Sequence, residues 1–244
     1  MTKNGIGASV RRKEDRRFIT GSGQYTDDIN RPRQLYAVIV RSPVPHARIR
    51  GIDTSKAEQH PGIHLVLTGK DFPIAFGIIP ISQDEYPLAR ERVRYVGEPV
   101  AAVIARDEQT AAEAVELIEV QYQMLPTISS PAEALEHPAV RIHKHSEQGN
   151  IHCSQSFEFG DVEAALASSD HVFEDIFYYE GNTHLPIEQH AAVAAVDRDG
   201  KLTLWSSTQV PHYIHRALAR ALAMSAPHIR VIACPNGGGF GGKC

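Results

Sequence analysis

One seven-residue run, Pro99-Val100-Ala101-Ala102-Val103-Ile104-Ala105, constrains this chain more than any other stretch. It carries no charge and no polar side chain, so it cannot alternate between a wet and a dry face. A run of that length reads as a strand buried on both sides. Asp107 follows where an N-cap belongs. Ala111, Ala114, Val115 and Ile118 then recur at helical spacing, which predicts a helix running to about Ile118. Glu119-Val120-Gln121-Tyr122-Gln123-Met124-Leu125 alternates, as a strand with one exposed face does. Strand, helix and strand in so short a span predict an α/β (α+β) fold.

The other elements are read around that unit. Residues 35–41 read as a buried strand stopped by Ser42-Pro43, and residues 63–67 as the next strand. Thr54 is expected to cap a short helix over residues 55–60, which Pro61-Gly62 ends. These elements place a first domain at residues 18–126, behind a charged arm at residues 1–17. Residues 127–151 hold prolines and histidines and few large apolar side chains, so they read as a linker. A second region opens at residue 152. Asp161 caps a helix over residues 162–167, and residues 171–179 alternate like a strand with one wet face. Residues 191–196 and 202–206 form a hairpin across Asp197-Arg198-Asp199-Gly200. Pro211 opens a helix reaching residue 224. A strand over residues 229–234 follows it.

Composition excludes several classes. With 42% hydrophobic and 22% charged residues the chain has material for a real core. A net charge of −4 supplies no basic field, so no nucleic-acid partner is expected. No apolar run approaches the ~18 residues of a membrane span. Residues 1–17 lack the apolar stretch of a signal peptide, and no hydrophobic segment follows Arg11-Arg12 or Arg16-Arg17. Cys153, Cys234 and Cys244 are too scattered for a disulfide framework or a zinc knuckle. A cytoplasmic location is expected. His143-Lys144-His145 has chelating spacing, but no third ligand is spaced to join it, so it reads as a solvated loop. His212 and His215, on one helix face, read as packing or solvent contacts.

The chemistry concentrates in Asn236-Gly237-Gly238-Gly239-Phe240-Gly241-Gly242-Lys243-Cys244. So many glycines let backbone approach a ligand and aim N–H groups at an anion. Gly237-x-Gly239-x-x-Gly242 satisfies the dinucleotide fingerprint, yet no helix opens inside it and no acidic residue follows to hold a ribose. Gly237-x-x-x-x-Gly242-Lys243 matches a phosphate-binding loop up to its last position. There Cys244 stands in place of the hydroxyl that would hold magnesium. A P-loop nucleotide-binding protein is therefore the alternative reading.

A third reading uses more of the chain. Arg11-Arg12-Lys13-Glu14-Asp15 with Gly21 to Ile29 opens it. Arg41-Ser42-Pro43 with His46-Ala47-Arg48-Ile49 and Asp53, Tyr95 to Val103, and Glu119 to Tyr122 with Leu125-Pro126 follow in order. Pro186-Ile187-Glu188, Ser207-Thr208-Gln209-Val210-Pro211-His212 and the glycine loop complete it. In that order the blocks resemble the large molybdopterin-binding subunit of the xanthine dehydrogenase, aldehyde oxidase and carbon monoxide dehydrogenase family. Asp84-Glu85-Tyr86-Pro87-Leu88-Ala89, preceded by Phe76-Gly77-Ile78-Ile79-Pro80, is most similar to the large subunits of 4-hydroxybenzoyl-CoA reductases.

The resemblance implies an α/β hammerhead domain at residues 18–126 and the first part of a molybdenum-cofactor domain at residues 152–244. It implies a molybdenum–molybdopterin cofactor, in its cytosine dinucleotide form if the source is bacterial. Gln209 matches the glutamine whose amide holds an oxo ligand of the metal. Gly239, Phe240 and Gly241 match the loop whose backbone amides approach the metal's ligands, so Gln209 and Phe240 are the expected molybdenum-ligand contacts. A carboxamide is a neutral donor that does not titrate, which suits that role. Glu188 is expected to be a structural partner for the site and not its base. The family's catalytic glutamate lies beyond the loop, so no catalytic residue is expected here. Expected partners are the remaining part of the large subunit, a small 2Fe-2S subunit and an FAD-binding medium subunit. The reaction class is hydroxylation of an aldehyde, aromatic heterocycle or carbon monoxide with water-derived oxygen, or reductive dehydroxylation of an aromatic acyl-CoA. Alone, the chain is expected not to turn over, as a fragment, a frameshifted product or half of a split subunit. A non-catalytic docking fragment is the other alternative.

Overall fold

The computed structural model describes residues 5–77, 83–143 and 148–244. Two compact units emerge: Leu35–Thr183, and Met1–Gln34 together with His184–Cys244. The sequence division at residues 18, 126 and 152 follows composition and resemblance. Compactness instead joins the amino-terminal residues to the glycine-loop region.

The unit Leu35–Thr183 holds two antiparallel three-stranded sheets. In one, β5 (Pro99–Ala105) lies between β1 (Tyr36–Arg41) and β3 (Ile63–Thr68). In the other, β2 (Ala47–Asp53) lies between β4 (Arg92–Val93) and β6 (Glu119–Met124). The apolar run is the central strand of its sheet, and its two faces serve two cores. Val103 and Ala105 pack with Ala57, Ala111 and Ala114, whereas Val100 packs with Ala47, Ala89 and Val93. The two-residue period of the strand separates these sets. The strand–helix–strand unit therefore does not close one sheet, because β5 and β6 pair in different sheets.

Helix α1 (Glu108–Val115) begins as expected, with Asp107 Oδ1 accepting the Thr110 N–H at 2.7 Å. It ends three residues before Ile118. There, Leu117 N–H to Ala114 C=O and Ile118 N–H to Val115 C=O are tightened, 3₁₀-type bonds. The helix at Ser55–Glu58 is not capped by Thr54, whose backbone is already helical. Asp53 Oδ1 instead accepts from the Ser55 N–H at 3.0 Å and its hydroxyl at 2.7 Å. Strand β2 was not expected. Its alternation Ala47-Arg48-Ile49 is broken by a register shift between Ile49 and Gly51, a bulge that hides the pattern. The linker contains a short helix, Pro131–Glu136, capped by Ser130. The helix Val162–Ala167 is capped by Asp161 as expected.

Residues 171–179 do not form the expected strand. They pair with no other strand among the described residues, and Phe173 and Phe177 are 92% and 90% exposed. Alternation gives a strand its two faces but not its hydrogen-bonding neighbour, and without one a lone strand is not stable.

In the other unit, β7 (Ala192–Val196) and β8 (Leu202–Ser206) form the expected hairpin. Asp197 Oδ1 accepts from the Asp199 and Lys201 N–H groups, both at 2.9 Å, in its turn. Helix α2 (Pro211–Ala221) then leads to β9 (Ile229–Ala233), which pairs with β8 in parallel. The amino-terminal residues add a short helix at Asp15–Ile19 and a buried Thr26. Arg31 lies over the Trp205 ring at 5.1 Å. Among the described residues no helix is long and apolar enough to cross a membrane.

Candidate functional site

Because β8 and β9 run parallel, their carboxyl ends share one edge of the sheet. In α/β architecture that edge is where ligands bind. Pairing persists one step further, through Cys234 N–H to Ser206 C=O at 2.9 Å. The strands then part: residues 207–210 turn into α2, and residues 235–244 form the glycine loop.

These two segments hold each other. Asn236 Nδ2 donates to Thr208 C=O at 3.0 Å. The Gln209 N–H donates to Lys243 C=O at 2.9 Å, and the Thr208 hydroxyl to the same oxygen at 3.2 Å. Gly241 N–H donates to Gln209 Oε1 at 3.2 Å. With its oxygen so engaged, the Gln209 carboxamide keeps its Nε2 donors without a partner among the described residues. A Cβ at Gly239 would lie 2.5 Å from Gln209 Cδ and Oε1, so any other residue here displaces the carboxamide.

The loop's own donors divide into two groups. Those of Gly237, Gly241 and Gly242 are satisfied within the chain. The N–H groups of Gly238, Gly239 and Phe240 have no acceptor among the described residues, and neither do those of Asn236, Lys243 and Cys244. Three successive unpaired donors, one on the buried Gly239, leave a place for an acceptor from outside. Phe240 sits at φ 52°, a left-handed conformation uncommon for a bulky residue, and is 73% exposed. Gly241 N–H, expected to reach a ligand, is instead committed to Gln209.

Lys243 decides against the phosphate-loop alternative. Its side chain is 0% exposed, and its ammonium lies 2.6 Å from Glu188 Oε2. A lysine buried against a carboxylate is not available to a nucleotide. The same Glu188 oxygen accepts the Gly237 N–H at 2.8 Å, and Glu188 N–H donates back to Gly237 C=O at 3.2 Å. The expectation of a structural role for Glu188 matches this geometry. Its pairing with Lys243 was not foreseen, because residues far apart in the chain carry no local signal of contact.

The histidine candidates fall elsewhere. His215 Nε2 lies 3.0 Å from Ala226 C=O, a packing contact, and His212 is exposed. Lys144 and His145 lie outside the described residues, as do Ile78, Ile79 and Pro80. His143 Nδ1 lies 2.7 Å from Asp84 Oδ2, a pairing that sequence reading missed. Arg94 bridges Asp84 and Glu98, at 3.7 Å from each. Burial pushes the Glu98 carboxyl above its ordinary value. Glu85 is raised by burial and then by the charge of Asp84. Among the described residues no group of three His, Cys, Asp or Glu side chains could hold a metal ion.

Comparison with known proteins settles the family. Residues 20–126 match the aldehyde oxidase and xanthine dehydrogenase a/b hammerhead domain, and residues 142–244 match the molybdopterin cofactor-binding domain. The chain belongs to the xanthine dehydrogenase, aldehyde oxidase and carbon monoxide dehydrogenase family. Within that family it is 39% identical to a probable xanthine dehydrogenase subunit of Bacillus subtilis, over 95% of this chain and 31% of that one. It is 37% identical to the carbon monoxide dehydrogenase large chain of Afipia carboxidovorans, over 98% of this chain and 32% of that one. The crystal structure of quinoline 2-oxidoreductase from Pseudomonas putida 86 superposes with a TM-score of 0.86. Identity there is 34%, over 99% of this chain and 32% of the other. The chain thus spans about a third of these relatives' length, and is homologous to large subunits of molybdenum hydroxylases. The fold is a hammerhead domain followed by the start of a molybdopterin cofactor-binding domain.

Proposed function

We propose that this chain supplies one wall of the molybdenum-cofactor site in the large subunit of a molybdenum hydroxylase. Three unpaired N–H groups on Gly238, Gly239 and Phe240, beside a carboxamide held by its oxygen, carry the reading. That donor set fits oxo-type and other anionic ligands of a metal group. It offers neutral, fixed dipoles and no titrating side chain. Gln209 is the residue that would hold such a ligand through Nε2. Gly239 and Phe240 would do so through backbone N–H, and Gly241 would act indirectly by orienting Gln209. The exposed Phe240 ring would exclude water once covered. When bound, the molybdenum cofactor supplies the transfer of oxygen between water and a carbon centre, with two electrons passing onward.

The cytosine dinucleotide form, and 2Fe-2S and FAD groups on small and medium partner subunits, complete the proposal, as does a cytoplasmic site of assembly. So does a division into a hammerhead at residues 18–126, a linker at residues 127–151 and a cofactor domain at residues 152–244.

The test is to recover the tagged chain from its own host, with whatever copurifies, and assay molybdenum and pterin. Stoichiometric pterin and metal, lost in Gln209→Ala or Gly239→Ala at unchanged chain yield, is the expected result. A complex with neither group, or one unaffected by both substitutions, would overturn the reading.

A further inference from the structure

A loop of glycines has no side chains to set its shape, and its backbone has the most freedom to lose on ordering. Something else must fix the tip formed by Gly238, Gly239 and Phe240. Two side chains reach the loop from below. Glu188 Oε2 accepts both the Gly237 N–H, at 2.8 Å, and the Lys243 ammonium, at 2.6 Å. One carboxylate oxygen thereby ties the two ends of the loop together. Lys243 is held at its other end as well, its carbonyl accepting the Gln209 N–H and the Thr208 hydroxyl. The chain of contacts runs from Glu188 through Lys243 to Gln209, and from Gln209 Oε1 back to Gly241.

The pair is placed for those contacts and not for its own solvation. The Lys243 side chain is 0% exposed and that of Glu188 11%, and Glu188 Oε1 is buried with no partner among the described residues. A buried ion pair of this kind is seldom more stabilising than apolar packing of the same volume, so stability is a poor reason for keeping it. What it provides is a fixed distance and direction across the base of the loop.

We propose that Glu188 and Lys243 form a latch that sets the geometry of the Gly238–Phe240 tip and of the Gln209 carboxamide before any cofactor arrives. Both are positioning residues and neither touches the ligand. The meaning of the latch for function rests on the cofactor reading above, but the latch itself is a property of this chain.

Amide hydrogen exchange on the purified 244-residue chain tests it. Lys243→Met keeps the aliphatic stem and removes the ammonium, and Glu188→Gln keeps an acceptor for Gly237 and removes the charge. Each is expected to speed exchange at Gly237, Gln209 and Gly241 by about tenfold or more, while Val193, Leu204 and Val231 in the sheet exchange as in the wild type. Lys243→Arg is expected to restore protection at the three loop amides. Unchanged loop exchange in both variants would overturn the latch. So would equal acceleration of the sheet amides, which marks a general stability element. If Lys243→Met does not fold, Glu188→Gln with Lys243→Arg decides by the same amides. Failure of the functional reading shows separately: loop amides that respond as stated, in a chain whose complex holds no pterin, leave the latch standing and remove the cofactor assignment.

Discussion

Gly239 and Gln209 approach so closely that a single methyl group on residue 239 displaces the carboxamide. A Cβ on residue 239 would sit 2.5 Å from Gln209 Cδ and Oε1, whereas one on Gly241 would meet nothing within 4 Å. The two glycines are therefore needed for different reasons, one for space and one for its φ of 85°.

Gly239→Ala is accordingly expected to push the carboxamide aside and free Gly241 N–H. Because Gln209 is an exposed, flexible side chain that swings aside, this should cost less than about 1 kcal/mol. Gly241→Ala should cost more, about 1–3 kcal/mol through backbone strain, with Gln209 left where it is. Denaturant unfolding gives the two costs. The Gln209 side-chain amide resonances separate the mechanisms, shifting in Gly239→Ala and staying in Gly241→Ala. Equal shifts in both would contradict the distinction.

The two-faced core strand makes a second prediction. Val103 is fully buried among Ala57, Ala111 and Ala114 and has no room to be replaced from either side. Val103→Ala should destabilise the Leu35–Thr183 unit by about 2 kcal/mol, the transfer and cavity terms acting together. Leu65→Ala, on the neighbouring strand but 51% exposed, should cost well under half of that. Parallel urea titrations of the two variants check the ratio.

What could be read in the sequence was what repeats locally. Strand β5 announced itself by an unbroken apolar run, and α1 by Asp107 and its alanine spacing. Strand β2 was hidden because one bulge between Ile49 and Gly51 breaks a period of two. The alternation of residues 171–179 was real but promised a strand that has no neighbour among the described residues. At the site, glycine content and the order of the blocks around Gln209 were legible. The direction of Lys243 was not: a lysine after a glycine loop reads as a phosphate ligand until Glu188 is found beside it. Contacts set by chain crossing, and not by spacing, are what the sequence withholds.

Acid should act on α1 through its cap. The Thr110 backbone N–H, bound to the Asp107 carboxylate, holds that group below its ordinary value of 3.8, with Arg106 adding to the effect. A carboxyl lowered on folding adds stability above its unfolded value and loses it as pH falls through the folded one. Asp53 and Glu133 are lowered in the same sense, by Ser55 and Ser129. Glu85 and Glu98, raised by burial, act oppositely: their contribution falls as pH rises through the range above 4.5. Asp107→Asn keeps a capping oxygen but cannot titrate. The gap between wild-type and Asp107→Asn melting temperatures should be constant above about pH 5 and shrink below it. A gap that widens in acid would reverse the assigned sign.

The buried Lys243 leads to a prediction about nucleotides. Its ammonium is already held by Glu188, and the loop's open donors at its tip are the backbone N–H groups of Gly238, Gly239 and Phe240. Titration of the wild-type chain should therefore show no preference for ATP with magnesium over inorganic phosphate beyond about twofold. A tenfold preference for ATP would mean that the lysine leaves Glu188 to meet the triphosphate.

Residues 171–179 supply the last prediction. Phe173, Phe177, Tyr178 and Tyr179 are each more than four-fifths exposed, at 92%, 90%, 88% and 83%, and no strand covers their backbone among the described residues. A protease needs an accessible, extended backbone, and preference for aromatic side chains then selects the bond. Brief chymotrypsin treatment of the native chain should cut first within residues 173–179 or after Phe157 and Phe159, which are 78% and 88% exposed on unpaired backbone. Tyr36 in β1, Tyr122 in β6 and Trp205 in β8 should survive, since a protease reaches them only when the sheets open. Mass spectrometry of the early fragments reads the order of cutting. First cleavage at Tyr122 or Trp205 would show that the sheets open more readily than the exposed segment is cut, and would contradict the burial pattern of both units.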